Sequence, residues 1–393
     1  MYPFSRFFIL FIVAVFLFSC QRNELPDDHN HPQHFGYVTG KVYTANGIKV
    51  IANVSVFVDA EGEIYHTFSR MDGSFIMKVP VGSHDLHIQA GDGSKFRSIQ
   101  PIDIIEDDTT DLISNGINLR LNQTANLAYV WGGYDAIESI IIDTLGFTAT
   151  QISVQDLKDI SVMAQYDAIF LNCNPSTVDD TISQNLGIYT ASGGSLYASD
   201  WAVSYLMGEP TTSCPQAKPF GFIDDNTLCT SRLGMGNADV TGAVVSNDIQ
   251  QYLGKSWTDL HYDLASWESV QSIDLSFWEV MIEDSASQDP LMIRSSQFGQ
   301  AWTTVSLDTS VIIGNPSSQW VTICHIPPGN TSNPVTITVS VNSLQTHLAH
   351  GDYLGSCQGG NSGNIYFTTF HNEPNGQNTR DVTSILEYII LNI

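Results

Sequence analysis

The period of the apolar pattern changes near residue 125, and that change constrains the fold more than any other feature of the chain. From Gly36 the period is two: Tyr37, Thr39, Lys41 and Tyr43 alternate with Val38, Gly40 and Val42. Apolar stretches at 54–58, 64–68, 74–81 and 84–90 follow, with Asn46-Gly47 and Asp72-Gly73 between them. Short alternating strands joined by such turns predict an antiparallel β-sandwich over residues 36–122. After Asn126 the pattern alternates strand and helix. Apolar runs at 127–131, 166–173 and 195–199 read as strands, and 147–152 as a further strand. Residues 134–145, 154–163 and 178–192 read as helices, the first with Ile137, Ile140, Ile141 and Leu145 on one face. That alternation predicts an α/β domain at 125–393, flavodoxin-like, with a parallel sheet covered on both faces. Strands at 239–245, 278–282, 290–294 and 363–369, short helix 248–253 and helix 380–391 complete it, with insertions at about 208–235 and 298–362.

Ahead of the folded part, Arg6 precedes an apolar run at 7–18 and then Ser19-Cys20. The run is shorter than the roughly 20 residues a spanning helix needs and has the length of a signal-peptide core. Leu17-Phe18-Ser19-Cys20 resembles a bacterial lipobox. The resemblance implies a signal peptide at 1–19, cleavage before Cys20, and diacylglycerol and palmitate on that residue. A lipid-anchored protein of the cell envelope is implied, at the periplasmic face or surface of the outer membrane. Residues 20–35, polar and with His29, His31 and His34, read as a tether.

Asp and Glu outnumber Lys and Arg by 41 to 15, for a formal charge of −26. That excess excludes nucleic acid as a partner, because phosphates need neutralising cations. It equally disfavours adhesion to anionic lipid. Six cysteines are present. Outside the cytoplasm, Cys214 with Cys229 and Cys324 with Cys357 are expected to form disulfides, one within each irregular insertion. Cys173, on an apolar strand, is expected to be a buried free thiol.

The string from Gly40 through Ala45-Asn46-Gly47, Val54–Val58 and Asp72-Gly73-x-Phe75 to Val79-Pro80-x-Gly82-x-His84 resembles the carboxypeptidase regulatory-like, transthyretin-like domain. Members of that family are usually non-catalytic modules of secreted proteins. The strand at 166–172 and the later Gly193-Gly194-Ser195-Leu196-Tyr197-Ala198-Ser199-Asp200-Trp201 resemble the class I glutamine amidotransferase-like superfamily. Its catalytic members carry a cysteine nucleophile on the turn after that strand, and a His-x-Glu near the C-terminus. Here His371-Asn372-Glu373 fits the second element, but the turn has Ser199-Asp200 and no cysteine. A serine needs a well-oriented base to become nucleophilic, and the glycines of a G-x-S-x-G elbow are missing. The resemblance therefore implies a non-catalytic site. The alternative is a hydrolase using Ser199 or Asp200 with His371 and Glu373.

Residues 320–358 hold Cys324-His325-x-Pro327-Pro328-Gly329-Asn330 and His347-Leu348-x-His350-Gly351-Asp352-x-x-Gly355-x-Cys357. This string closely resembles a short recurrent module of secreted bacterial proteins. Three readings of it stay open. His325, His347, His350 and Asp352 hold zinc; the cysteines join the histidines in a closed zinc site; or a disulfide closes the module and the histidines bond to backbone. The expected role of the whole chain is non-catalytic binding or structural support, with a glycan or a cell-surface protein as partner.

Overall fold

A computed structural model describes residues 34–60, 62–173, 178–191, 193–208, 222–223, 226–296, 320–326, 335–340, 343, 346–347, 352–354, 363–373 and 380–393. The expected signal peptide, Cys20 and most of the tether lie outside these residues, as do Cys214, His350 and Cys357.

Eight strands come first: β1 (Phe35–Tyr43), β2 (Ser55–Ala60), β3 (Glu63–Phe68), β4 (Ser74–Pro80), β5 (Gly82–Ala90), β6 (Phe96–Ile104), β7 (Thr109–Asp111) and β8 (Leu119–Arg120). One four-stranded sheet pairs β1 antiparallel with β4 and parallel with β7 and β8. The other has the order β3-β2-β5-β6. The period-two pattern selects the buried faces: Val38 and Val42 of β1, and Val56 and Val58 of β2, point into one shared core. The turn before β4 is built by side chain and backbone together. Asp72 Oδ1 accepts from Ser74 N at 3.0 Å and from Ser74 Oγ at 2.6 Å. Gly73 supplies the left-handed φ of 72°, and a Cβ there would sit 2.6 Å from Val50.

Strands β9 (Leu127–Val130), β10 (Thr150–Ile152), β11 (Ala168–Leu171) and β12 (Ser195–Ser199) belong to a nine-stranded sheet. With them run β13 (Leu228–Val244), β14 (Trp257–Ile273), β15 (Glu279–Asp284), β16 (Pro290–Ser295) and β20 (Ile365–Thr368). The order is β10-β9-β11-β12-β20-β16-β15-β13-β14. The first five strands are parallel and follow the 2-1-3-4-5 order of flavodoxin-like sheets. The last four add antiparallel, so the sheet is mixed where a parallel sheet was expected. The chain is an α/β fold with several sheets.

Two expectations are corrected by the long hairpin β13–β14. Residues 228–235, expected in an irregular insertion, belong to β13, and β14 occupies a stretch not read as a strand. Cys229 is buried at the start of β13.

Helices α1 (Ile137–Ser139), α2 (Ile160–Met163), α3 (Asp180–Ala191), α4 (Val203–Met207), α5 (Asn247–Leu253) and α6 (Arg380–Asn392) flank the sheet. A π-helical turn, Ile140–Thr144, continues α1. No described helix is long and apolar enough to cross a membrane.

The eight-stranded part and the large sheet share one hydrophobic core. Phe96 and Phe147 stack at 4.5 Å across the junction. Ala45 N donates to Leu145 O at 3.0 Å, and Asn46 Nδ2 to Asp143 O at 3.2 Å. A small sheet with the order β18-β17-β19, made by β17 (Trp320–His325), β18 (Val335–Ser340) and β19 (Tyr353–Leu354), comes from the long insertion. It packs Ile323 and Val339 on Phe57 of β2.

Candidate functional site

In a sheet of this order, chemistry collects at the carboxyl ends of the parallel strands. There β12 turns sharply into a short 3-10 segment, Asp200–Ala202, and then α4. The residue at the apex is Asp200, whose φ is +46°. Ser199 before it is still extended, at φ −104° and ψ 132°. A left-handed non-glycine residue costs roughly 1–2 kcal/mol, and aspartate tolerates it better than most.

The two residues face different partners. Asp200 Oδ1 accepts from Glu268 N at 2.6 Å, and its Oδ2 accepts from Cys173 Sγ at 3.4 Å. His371 Nδ1 lies 3.8 Å from the same Oδ2. Ser199 Oγ instead donates to Asp135 Oδ2 in the loop after β9. Asp135 Oδ1 accepts from Asn372 N at 3.1 Å, which ties that loop to the segment after β20. Among the described residues, neither ring nitrogen of His371 has a hydrogen-bond partner. The geometry thus brings Asp200 and His371 together but leaves Ser199 and Glu373 out of the expected triad. Glu373 is half-buried and sits in the field of Asp263 and His261 of β14.

The site is closed. Ser199, Asp200 and Cys173 are 0% exposed, Asp135 1% and His371 8%. At the switch point between β9 and β11 the loops touch: a Cβ on Gly132 would lie 2.6 Å from Cys173 O. Trp201 and Tyr134 meet edge to face at 5.8 Å, and the Arg232 guanidinium stacks 4.3 Å over Trp201.

Burial sets the protonation states. It raises Asp135 to about 7, against the opposing Ser199 hydrogen bond. It raises Asp200 well above the carboxylate range, against the Glu268 N–H, and pulls His371 down to about 4. Burial also raises the Cys173 thiol, and the Asp200 charge adds to that. Burial thus favours the neutral form of both Asp200 and His371.

The insertion forms a second cluster. Asp352, 4% exposed, accepts at Oδ2 from His325 Nδ1 at 2.7 Å and from His347 Nδ1 at 2.8 Å. Its Oδ1 accepts from Ile326 N at 2.8 Å. These are hydrogen-bond lengths, so one carboxylate clasps both ends of the motif. His350, expected as a further ligand, lies outside the described residues, and nothing is described of the Cys324 side chain.

Sequence reasoning missed Asp135, Glu268 and Arg232. Only Asp135 carried a signal, as a carboxylate just after the Gly132-Gly133 end of an apolar strand. Arg232 and Glu268 lie on the unrecognised hairpin.

No family model matches the chain, and no curated protein matches it. Among solved structures, the Bacillus anthracis TIE protein is similar over 25% of this chain and 19% of its own length, with 11% identity and a TM-score of 0.19. A GMP synthase-like protein from Thermoplasma acidophilum is similar over 69% of this chain and 96% of its own, with 8% identity and a TM-score of 0.36. A ThuA-like protein from Bacteroides uniformis is similar over 43% and 76%, with 12% identity and a TM-score of 0.27. The last two have amidotransferase-like folds. None is similar enough to carry an argument about this chain.

Proposed function

We propose that the chain is a lipid-anchored, extracytoplasmic protein whose α/β sheet binds rather than catalyses. The observation that carries this reading is the hydrogen bond of Ser199 to Asp135 instead of His371, inside a site with no exposed reactive atom. On this reading the chain begins with acylated Cys20. Its first two sheets form a transthyretin-like sandwich, the large sheet is amidotransferase-like, and the pairs Cys214–Cys229 and Cys324–Cys357 bridge the insertions. The binding surface is the roof of the closed site. There Tyr134, 45% exposed, meets the Trp201 ring, on which the Arg232 guanidinium stacks. An amphipathic ring beside a guanidinium suits a sugar ring, which offers an apolar face and a hydroxyl edge. A glycan is therefore favoured over a protein partner.

The full chain treated with an electrophilic serine-hydrolase probe, with Ser199→Ala as control, is expected to give no adduct by mass spectrometry. A Ser199-dependent adduct would reverse the reading. Palmitate labelling lost in Cys20→Ala tests the anchor separately.

One observation favours a second reading, a hydrolase with Asp200 as nucleophile. Its φ of +46° puts a carboxylate at the apex of a strand–turn–helix, with His371 at 3.8 Å. That reading expects an ester on Asp200 in the same mass spectra after exposure to an alkylating substrate, whose leaving group departs as the carboxylate attacks.

A further inference from the structure

We propose that Cys173, Asp200 and His371 form a binding site for a divalent transition metal of the zinc class. The three side chains come from the ends of three adjacent parallel strands, β11, β12 and β20, and offer one thiol, one carboxylate oxygen and one imidazole nitrogen. All three donor atoms lie within 4.8 Å of one another.

The spacing suits coordination. Zinc takes sulfur at about 2.3 Å and nitrogen or oxygen at about 2.0–2.2 Å in a tetrahedron, which sets donor–donor separations of about 3.3–3.6 Å. Cys173 Sγ to Asp200 Oδ2 is 3.4 Å, and His371 Nδ1 to Oδ2 is 3.8 Å. The insertion cluster has 2.7 and 2.8 Å, too short for two donors on one metal.

His371 supplies the independent observation. It is only 8% exposed, and both its ring nitrogens lack a hydrogen-bond partner among the described residues. An imidazole buried without a hydrogen bond is costly, and coordination would give Nδ1 its partner. The carboxylate is already aimed: Glu268 N holds Oδ1 at 2.6 Å, leaving Oδ2 toward Cys173 and His371, as outer-shell donors do in metal sites. The left-handed φ of Asp200 serves the same end by turning its side chain into the sheet. Binding would release the thiol and carboxyl protons, and the two negative ligands would then balance the cation within the core. Thiolate with imidazole and carboxylate selects zinc-like metals over calcium or magnesium, which take oxygen. Three protein ligands leave one of the four tetrahedral positions to a further donor.

The test uses the full-length chain in detergent, stripped with a chelator and titrated with Co²⁺, whose thiolate complexes absorb in the near ultraviolet by charge transfer. One cobalt per chain with that band is expected, together with a rise in the thermal midpoint. Cys173→Ala should lose the band and weaken binding at least about 100-fold. Its circular dichroism should match the parent's, showing that it folds. His325→Ala/His347→Ala should keep the band. The proposal is overturned if saturating cobalt gives the parent no charge-transfer band. It is equally overturned if the band survives in Cys173→Ala, or if it disappears in the insertion variant alone. The parent spectrum decides even if a variant fails to fold.

Discussion

Replacing Lys49 by methionine tests whether the N-terminal sheets and the large α/β sheet unfold as one body. Lys49 Nζ lies 2.5 Å from both Glu387 oxygens, and Tyr252 OH donates to Glu387 Oε2 at 3.3 Å. Glu387 sits on α6 with its side chain 2% exposed, while that of Lys49 is 41% exposed. Removing one partner of a fully buried pair costs about 3–5 kcal/mol, because the other charge is stranded. Water reaches Lys49, so that figure is discounted by about half. The expected loss is about 2 kcal/mol, with Tyr252 still holding one carboxylate oxygen. Urea denaturation should show a lower midpoint with an unchanged slope, since the surface exposed on unfolding is the same. A double-mutant cycle with Glu387→Leu should give a coupling of about 1 kcal/mol or more. A loss below about 0.5 kcal/mol, the value of an ordinary surface pair, would refute the reasoning. So would a first transition confined to the N-terminal sheets, because a shared core cannot melt in separate halves.

Three further outcomes are expected. His87 stacks on Phe57 at 4.8 Å, and burial lowers its pKa from 6.5 to about 4. Between those values the unfolded chain binds a proton that the folded one refuses. This contribution is therefore intact above pH 6.5 and falls by about 3 kcal/mol as the pH drops to 4. His87→Phe should flatten the acid limb of a stability–pH curve, and an unchanged limb would count against that assignment. Asp352→Asn keeps the shape of the clasp but loses the charge that accepts from two imidazoles, a loss of about 1.5–3 kcal/mol. Limited proteolysis should then cut near β17–β19 while the rest of the chain persists; equal protection of both proteins would contradict the clasp. The Cys173 thiol, buried and raised in pKa, should resist iodoacetamide in the metal-free folded protein and react on unfolding. Rapid labelling of the native chain would show that the end of β11 is open.

The parts of the fold that were legible in the sequence are those where burial repeats at a fixed period. Val38 and Val42 are buried on one face of β1, and Ala168, Ile169, Phe170 and Leu171 are buried on both faces of β11. An alternating run and an unbroken run mark those two situations. The face of Ile137, Ile140, Ile141 and Leu145 is buried as its spacing predicts. Its backbone nonetheless widens into a π turn at Ile140–Thr144, because i+3 and i+4 spacings do not distinguish the two windings. The hairpin β13–β14 was hidden for a different reason. Its pairing shifts register at Cys229/Thr230, Ser231/Gly234 and Gly234/Gly236, and each shift breaks the alternation that identifies a strand. In β14, Leu260 and Tyr262 alternate with Asp259, His261 and Asp263, a half-buried strand whose charged face reads as loop.

The candidate site was legible one residue at a time but not as an arrangement. Its members were in view: Ser199-Asp200 after an apolar strand, His371-x-Glu373 near the C-terminus, and Cys173 on a buried strand. Which of them meet depends on two quantities that local sequence does not carry. The first is strand order, because β11, β12 and β20 become neighbours only once residues 200–363 are routed elsewhere. The second is the sign of one dihedral angle. With Asp200 left-handed at +46°, its carboxylate reaches Cys173 and approaches His371, while extended Ser199 turns to Asp135. Which side chain takes the apex is thus set by the placement of one backbone turn at the end of β12.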